Sequence, residues 1–413
     1  MDIVFASHTV MGPHFVVGSH HLARNFAAAG HRVVHLSTPI TPSHLLGMRR
    51  SKMLYTRYLA WRSGWTAKAT AAGPANLIPM ALLPWRWARP LYRFGLNQLL
   101  WTVPSIKGLL GRHGIGRPDL LIIDQPFYAG LERRLSARTT LYRATDLYAE
   151  LIGDPTCVAA EISILRNADG WIATSQPVFD HLRRLAPEKP GLLLENGVDT
   201  KHFSTERPLP PEYRAMPGPR LVYAGALDGR FDAAAARALA LAMPDASIVL
   251  IGPAEDGVRA ALERDGVLAN LHLLGPRPYA DLPGYFQHAD AGLILLNDHP
   301  ANGGRSPMKL YEYAAAGLPV VSRATSEIAR RGDRFVFLYS DAESAADAAR
   351  QALAKRCELG TTLREAADAA SWAEKTGRIA RFASLIDADR ATADRSGDVP
   401  VFPAAETSRA LTP

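Results

Sequence analysis

From Ile3 to Pro118 the chain has no aspartate and no glutamate, while Arg24, Arg32, Arg49, Arg50, Lys52, Arg57, Arg62, Lys68, Arg86, Arg89, Arg93, Lys107, Arg112 and Arg117 give that stretch +14. The whole chain carries only +7, so the remainder is about −7. Cysteine is scarce too. Cys157 and Cys357 lie 200 positions apart, which excludes a disulfide scaffold and fits neither C-x-x-C nor zinc spacing; a reducing cytoplasm suits such a chain. No run reaches the roughly 18 uncharged apolar residues of a spanning helix, and Asp2 sits where a secretory signal is positive. The expectation is a protein that neither crosses a membrane nor leaves the cell by that route. Also missing are G-x-G-x-x-G, G-x-x-x-x-G-K-[ST] and G-x-S-x-G, which removes dinucleotide fingerprints, P-loop NTPases and α/β-hydrolases as leading readings.

What is present is an ordinary globular composition, 47% apolar and 21% charged over 413 residues, enough for two to three domains. Five of the seven tryptophans (Trp61, Trp65, Trp85, Trp87, Trp101) fall within the acid-free stretch, with Tyr55, Tyr58 and Tyr92 among the arginines. Basic side chains beside Trp and Tyr are the signature of a membrane interface. Nucleic acid selects the same pairing, but no nucleic-acid module pattern accompanies it, and a solvated face over buried tryptophans is the structural alternative. On the membrane reading, Arg49, Arg50, Lys52, Arg57, Trp61, Arg62 and Trp65 meet anionic lipid or a lipid-linked acceptor.

Short continuous apolar runs read as buried parallel strands. One series comprises residues 2–7, 32–37, 119–124, 140–145, 170–175 and 191–196; a second comprises 220–225, 247–252, 270–275, 291–296 and 318–322, with helical stretches between. The turn Asn196-Gly197-Val198-Asp199 and the prolines after it separate them. The pattern predicts an α/β protein of two Rossmann-like, doubly wound parallel-sheet domains facing across a cleft. Residues 1–198 form the first, with a basic and aromatic insertion at about 48–101; residues 199–370 form the second. A C-terminal helix over 371–387 and a loose tail over 388–413 complete the chain.

Open parallel sheets bind ligands beyond the carboxyl ends of their strands. Three places there carry chemistry. In the run from Gly303 to Val321, Ser306-Pro307 opens a helix, Arg305 and Lys309 add cations, and Glu312 lies one turn beyond Met308 and Lys309. That spacing suits phosphates at the helix start and a carboxylate on ribose hydroxyls, or a solvated Lys-Glu pair on an amphipathic helix. Asp146 follows the strand ending at Thr145, where it is either a general base or a helix cap. Gly225 leaves room for a diphosphate, with Arg230 in reach. His8, His14, His20 and His21 match no metal spacing, so no metal site is expected.

Taken together, the NGVD turn, YAGALDGRFD and PMKLYEYAAAGLPVV resemble the GT-B glycosyltransferases from about residue 2 to about residue 385. LYRATD followed by SPMKLYEY is most similar to the xanthan-type, membrane-associated glucuronosyltransferases of exopolysaccharide assembly. The resemblance implies an inverting, metal-independent enzyme without a cofactor, taking a UDP-sugar as substrate and a lipid-linked oligosaccharide as acceptor at the inner face of the plasma membrane. By it, Asp146 is the base, Lys309 neutralises the donor's diphosphate, and Met308 and Glu312 contact the nucleotide. Retaining relatives of the commonest sort carry an acid eight positions before the residue that matches Glu312; here Gly304 stands there, which favours inversion. Arg305 suits a uronate carboxylate or a phosphate. The rivals are a UDP-sugar epimerase of the same architecture and a catalytically silent membrane-surface binding module.

Overall fold

The computed structural model describes residues 1–11, 16–48, 52–64, 73–84, 87, 89–94 and 98–396. They form two compact units, one running to Glu195 and resuming at Lys375, the other from Asn196 to Glu374. The sequence puts this break after Val198. It falls earlier because Asn196 is tied into the second unit, its N–H donating to Ser306 Oγ (3.2 Å) and its Nδ2 to the Ser306 carbonyl (2.8 Å).

The first unit is built on seven parallel strands: β1 (Asp2–Ser7), β2 (Arg32–Ser37), β3 (Ala75–Leu77), β4 (Leu120–Ile123), β5 (Thr139–Ala144), β6 (Gly170–Ala173) and β7 (Gly191–Leu193). Their order is β3-β2-β1-β4-β5-β6-β7. Ile3 to Ala6 and Leu120 to Ile123 are buried throughout, as runs apolar on both faces must be, with helices such as α1 (Gly18–Ala28) covering them. The order reverses between β1 and β4, the switch point at which such sheets take ligands. Asp124 directly follows β4, and Thr145 and Asp146 follow β5.

β3 is only three residues long and no apolar run announces it; it lies inside the stretch read as an insertion. In that stretch α2 (Lys52–Gly64) holds Arg57, which the sequence offers to lipid. There Arg57 is half-buried and donates Nη2 to the Thr38 carbonyl (2.7 Å), and burial lowers its pKa. Trp61 is half-buried against Tyr58, with ring centroids 5.6 Å apart, whereas Arg62 is exposed. Arg49, Arg50, Trp65 and the side chain of Lys52 lie outside the described residues. Tyr55, Leu59, Leu82, Trp87, Phe94, Trp101 and Val103 stand exposed. Among the described residues no helix is long and apolar enough to cross a membrane.

The second unit has β8 (Arg220–Ala224), β9 (Ser247–Ile251), β10 (Leu271–Gly275), β11 (Ala291–Ile294), β12 (Val320–Arg323) and β13 (Val336–Tyr339), in the order β10-β9-β8-β11-β12-β13. Strand alternation splits its interior in two: Leu221, Tyr223, Ile248 and Leu250 enter one core, and Val222, Ala224, Val249 and Ile251 the other. The helix α5 (Lys309–Ala315) is fixed by Tyr313, whose hydroxyl donates to the Leu293 carbonyl and accepts from the Ala224 N–H, both at 3.2 Å. One side chain thereby spans β8 and β11 at the second switch point. Entry and exit of this unit are joined, Val198 N–H donating to Ala370 O (2.9 Å) and Trp372 N–H to Val198 O (3.1 Å).

The final helix, α6 (Trp372–Ser396), is longer than the expected 371–387. Asp387 takes a hydrogen bond from Thr139 Oγ1 (2.6 Å) and pairs with Arg138 (3.2 Å), and Arg390 reaches Asp169 (2.5 Å) and the Arg138 carbonyl (3.0 Å). These contacts carry the helix across 388–396, residues read from sequence as tail; 397–413 lie outside the described residues.

A Cβ on Gly292 would lie 2.3 Å from the Tyr313 ring. Gly292→Ala should therefore cost about 1–3 kcal/mol, the usual penalty of overpacking, and also displace α5. Thermal unfolding checks this; an unchanged Tm would mean that Tyr313 can yield.

Candidate functional site

In the second unit the loops after β8 and β9 pass in van der Waals contact. Gly225 has φ +158° and Gly252 φ +149°, and a Cβ on Gly252 would fall 1.7 Å from the Gly225 carbonyl oxygen. Only glycine fits there. Gly252 escaped the sequence reading, although it follows its strand as Gly225 follows β8. The other side of Gly225 is occupied by Lys309: a Cβ on Gly225 would be 2.4 Å from Nζ, which itself sits 4.3 Å over the centroid of the Tyr223 ring.

Lys309 is the first residue of α5, with Met308 half-buried at the N-cap position. The sequence starts this helix at Ser306-Pro307; the structure starts it at Lys309. Ser306 is withheld by its side chain, which is buried and whose oxygen accepts from Asn196 N–H and from Arg331 Nη2 (2.8 Å). Arg331 is held in turn by the fully buried Glu327 (2.9 Å). Ser306 thus anchors the loop from below. With a helix of seven residues, the charge available to an anion resides in side chains.

Those side chains are strongly perturbed. Burial, and then the neighbouring Arg305, push Lys309 down from 10.5 to about 7, while Glu312 and Asp228 oppose the shift. Glu312 is buried, and desolvation raises it from 4.5 to about 7 against the pull of Lys309. Arg305 is half-buried. Arg230, read from sequence as reaching for a diphosphate, is gripped by Asp228, through Nε to Oδ1 (3.0 Å) and Nη2 to Oδ2 (2.5 Å). Asn302 Nδ2 donates to the Arg230 carbonyl (3.0 Å) and to the Asn297 carbonyl (3.0 Å). The segment 297–302, whose role the sequence leaves open, therefore ties the loop after β11 to the loop after β8.

In the first unit Asp146 lies half-buried at the tip of β5. It is not at the N-cap position of the helix that follows: α3 (Tyr148–Ile152) has Leu147 there. Asp146 Oδ2 instead accepts from Thr145 Oγ1 (3.2 Å). Beside it, Asp124 is buried and paired with the equally buried Arg143 (3.2 Å). Desolvation lifts Asp124 from 3.8 to about 6, and Arg143 draws it back only in part. Arg143 sits two residues before Thr145 in β5, so this pair stiffens the strand end that carries Asp146.

Two parallel α/β sheets of seven and six strands in these orders recur in solved structures. Sucrose-phosphate synthase from Thermosynechococcus elongatus superimposes with TM-score 0.69 at 17% identity, covering 94% of this chain and 100% of that one. Anabaena HepE in complex with UDP gives 0.64 at 15% identity, over 93% and 100%. WaaG, a glycosyltransferase involved in lipopolysaccharide biosynthesis, gives 0.60 at 16%, over 92% and 99%. The fold is GT-B. Residues 218–355 match the family of glycosyl transferases group 1, so the family likeness falls on the unit that holds Gly225, Lys309 and Glu312. In sequence the chain is 24% identical over 193 residues to TuaH of Bacillus subtilis, named a teichuronic acid biosynthesis glycosyltransferase. That match takes in 46% of this GT-B chain and spans about half, 49%, of the relative's length.

Because Glu312 holds its proton up to about pH 7 when folded and loses it near 4.5 when unfolded, its contribution to stability is present below the lower value and is lost as pH rises through the higher one. Glu312→Gln keeps a neutral side chain throughout. Its Tm relative to wild type should therefore rise between about pH 4.5 and about pH 7 and level off above that. A constant difference across that range would place the carboxylate in water.

Proposed function

We propose that the protein is an inverting, metal-independent glycosyltransferase that moves a hexose or hexuronate, glucuronate the first candidate, from a UDP-sugar to a lipid-linked oligosaccharide. Its place is the inner face of the plasma membrane, in assembly of an exopolysaccharide or cell-surface glycan. The observation that carries this reading is the Lys309 ammonium resting on Gly225 with the Glu312 carboxyl one turn further on, inside the segment that matches group 1 glycosyl transferases. UDP as the nucleotude carrier is supported by HepE, solved with UDP, with UDP and glucose, and with UDP-glucose. A polysaccharide product is supported by the name of TuaH, and the glucuronosyl assignment by the LYRATD and SPMKLYEY resemblance.

In this mechanism the acceptor hydroxyl attacks the anomeric carbon from the face opposite the diphosphate. Its O–H bond breaks as Asp146 takes the proton, the new C–O bond forms, and the old C–O bond breaks with its electron pair leaving on UDP. Lys309 and Arg305 meet the charge that develops on the departing oxygen. A lysine poised near neutrality gains its proton as the dianion arrives, so its cation is strongest when the leaving group needs it. Glu312, ionised beside that cation, accepts hydrogen bonds from the ribose hydroxyls. Single displacement inverts the anomeric centre.

Two substitutions test the assignment in a transfer assay with purified protein and membrane extract. Asp146→Asn should slow transfer by about 10²- to 10⁴-fold and leave UDP affinity as it was. Lys309→Ala should weaken UDP binding and slow transfer together. Transfer that survives Asp146→Asn ends the role of Asp146 as base.

Association with the membrane rests on the acid-free stretch and its exposed rings. Each cation near an anionic surface contributes about 1 kcal/mol, screened beyond about 8–10 Å at physiological salt. Replacing Arg49, Arg50 and Lys52 by Glu, or Trp87 and Trp101 by Ala, should each reduce sedimentation with phosphatidylserine vesicles at low salt without altering UDP binding. Equal sedimentation of variants and wild type would make the stretch an ordinary surface.

A further inference from the structure

Behind Asp146 three polar contacts stand in series. Tyr148, buried in α3, donates its hydroxyl to the Asp124 carbonyl in a very short hydrogen bond. Its oxygen lies 2.8 Å from Thr145 Oγ1, and Thr145 Oγ1 lies 3.2 Å from Asp146 Oδ2. The Asp124 carbonyl can only accept, so the Tyr148 proton points toward it and the phenol oxygen is left as the acceptor toward Thr145. The phenol stays protonated, since burial, with the charge of Asp146 adding to it, raises Tyr148 well above its ordinary range.

We infer that Thr145 and Tyr148 form a hydroxyl relay that positions Asp146 and receives it in its protonated form. The inference rests on the reading of Asp146 as the base, and it follows from counting hydrogens. Three contacts need three protons, and the two hydroxyls supply two. While Asp146 is ionised, one contact holds facing lone pairs: either Thr145 donates to Asp146 and has nothing for Tyr148, or the reverse. Once Asp146 carries the acceptor's proton, its O–H donates to Thr145, Thr145 donates to Tyr148, and Tyr148 donates to the Asp124 carbonyl. Every hydroxyl then gives one hydrogen bond and takes one, a complete chain in a site of low dielectric. The relay therefore favours the state that Asp146 reaches during transfer, which makes it a better base than an isolated carboxylate at that strand end.

Charged and titratable groups near the relay include Asp124, directly after β4, Arg143 on β5, Cys157 and Glu161 on α4 (Thr156–Asn167), and His181 on the helix Gln176–Leu185. Asp124 is paired with Arg143; Glu161 accepts from the Tyr142 hydroxyl (2.8 Å) and faces His181 (2.9 Å); Cys157 adds to the field on Tyr142. Tyr148 meets Asp124 through its carbonyl, so the relay ends on a group that does not titrate.

The test is the pH dependence of kcat/KM for transfer by the full chain. In Tyr148→Phe, Thr145 is free to donate to ionised Asp146, the carboxylate form is favoured, and the acidic limb should move down by about one pH unit. The plateau should fall by roughly threefold, as for a base weakened by that amount. Tm and UDP affinity, which a structural defect would change, should hold. Independently, Thr145→Ala should displace the limb and Thr145→Ser, which keeps the hydroxyl, should restore it; with alanine at 145, Tyr148→Phe should have no further effect. Limbs superimposable on wild type in both Tyr148→Phe and Thr145→Ala would overturn the relay. Measured alongside, Asp146→Asn separates the two claims: if it is inactive while those limbs are unmoved, the base stands and the relay falls, and if it is active the base itself falls.

Discussion

The chemistry of the second unit depends on a backbone crossing that admits no side chain. The carbonyl of Gly225 occupies the space in which a Cβ of Gly252 would lie, so the turns after β8 and β9 close on one another and leave their outer surface bare. Lys309 rests on that surface. Because Tyr313, four residues along α5, hydrogen-bonds to strands on both sides of the switch point, the lysine cannot drift from the crossing without breaking these contacts at the centre of the sheet. Steric exclusion at two glycines and a single tyrosine hydroxyl together set where the cation stands.

Charge in the two units is handled in opposite ways. In the second, burial discharges: Lys309 and Glu312 are both brought to about 7, and Arg230 is neutralised locally by Asp228. A lysine and a glutamate brought this close to neutrality can change charge in answer to a ligand. In the first unit the buried pair Asp124–Arg143 is a permanent internal dipole at a strand end. Its desolvation makes it a poor source of stability in itself, but it holds fixed the backbone from which Thr145 and Asp146 project.

Much of this was legible beforehand. Eleven strands announce themselves as apolar runs because a parallel strand is buried on both faces and has no polar residue to hide it. β3 is not announced, since its three residues include Asn76 and give no continuous run; β13 is a run, Val336-Phe337-Leu338-Tyr339, and the series read from sequence stops short of it. Gly225, Lys309 and Glu312 could be found from local spacing, for their relation is within one turn of helix and one strand end. Ser306 could not: what removes it from the helix is its contact with Asn196, 110 positions away, and no local rule carries such a distance. The pairing of Arg230 with Asp228 is hidden for a different reason. Asp228, two residues earlier, was visible, but whether a turn folds a neighbouring carboxylate onto an arginine depends on backbone geometry that the residues alone leave open. The cap reading of Asp146 was equally permitted by composition, and only the start of α3 one residue beyond Leu147 decides against it.

The paired backbone hydrogen bonds at Val198, Ala370 and Trp372 make the second unit a loop closed at its own base. Its two ends meet, so the first unit experiences the 196–374 segment as an insertion at a single point and need not reorganise to accept its length. A segment attached in this manner is a natural cassette. Exchange of that segment between related chains would interrupt the first unit at one place only.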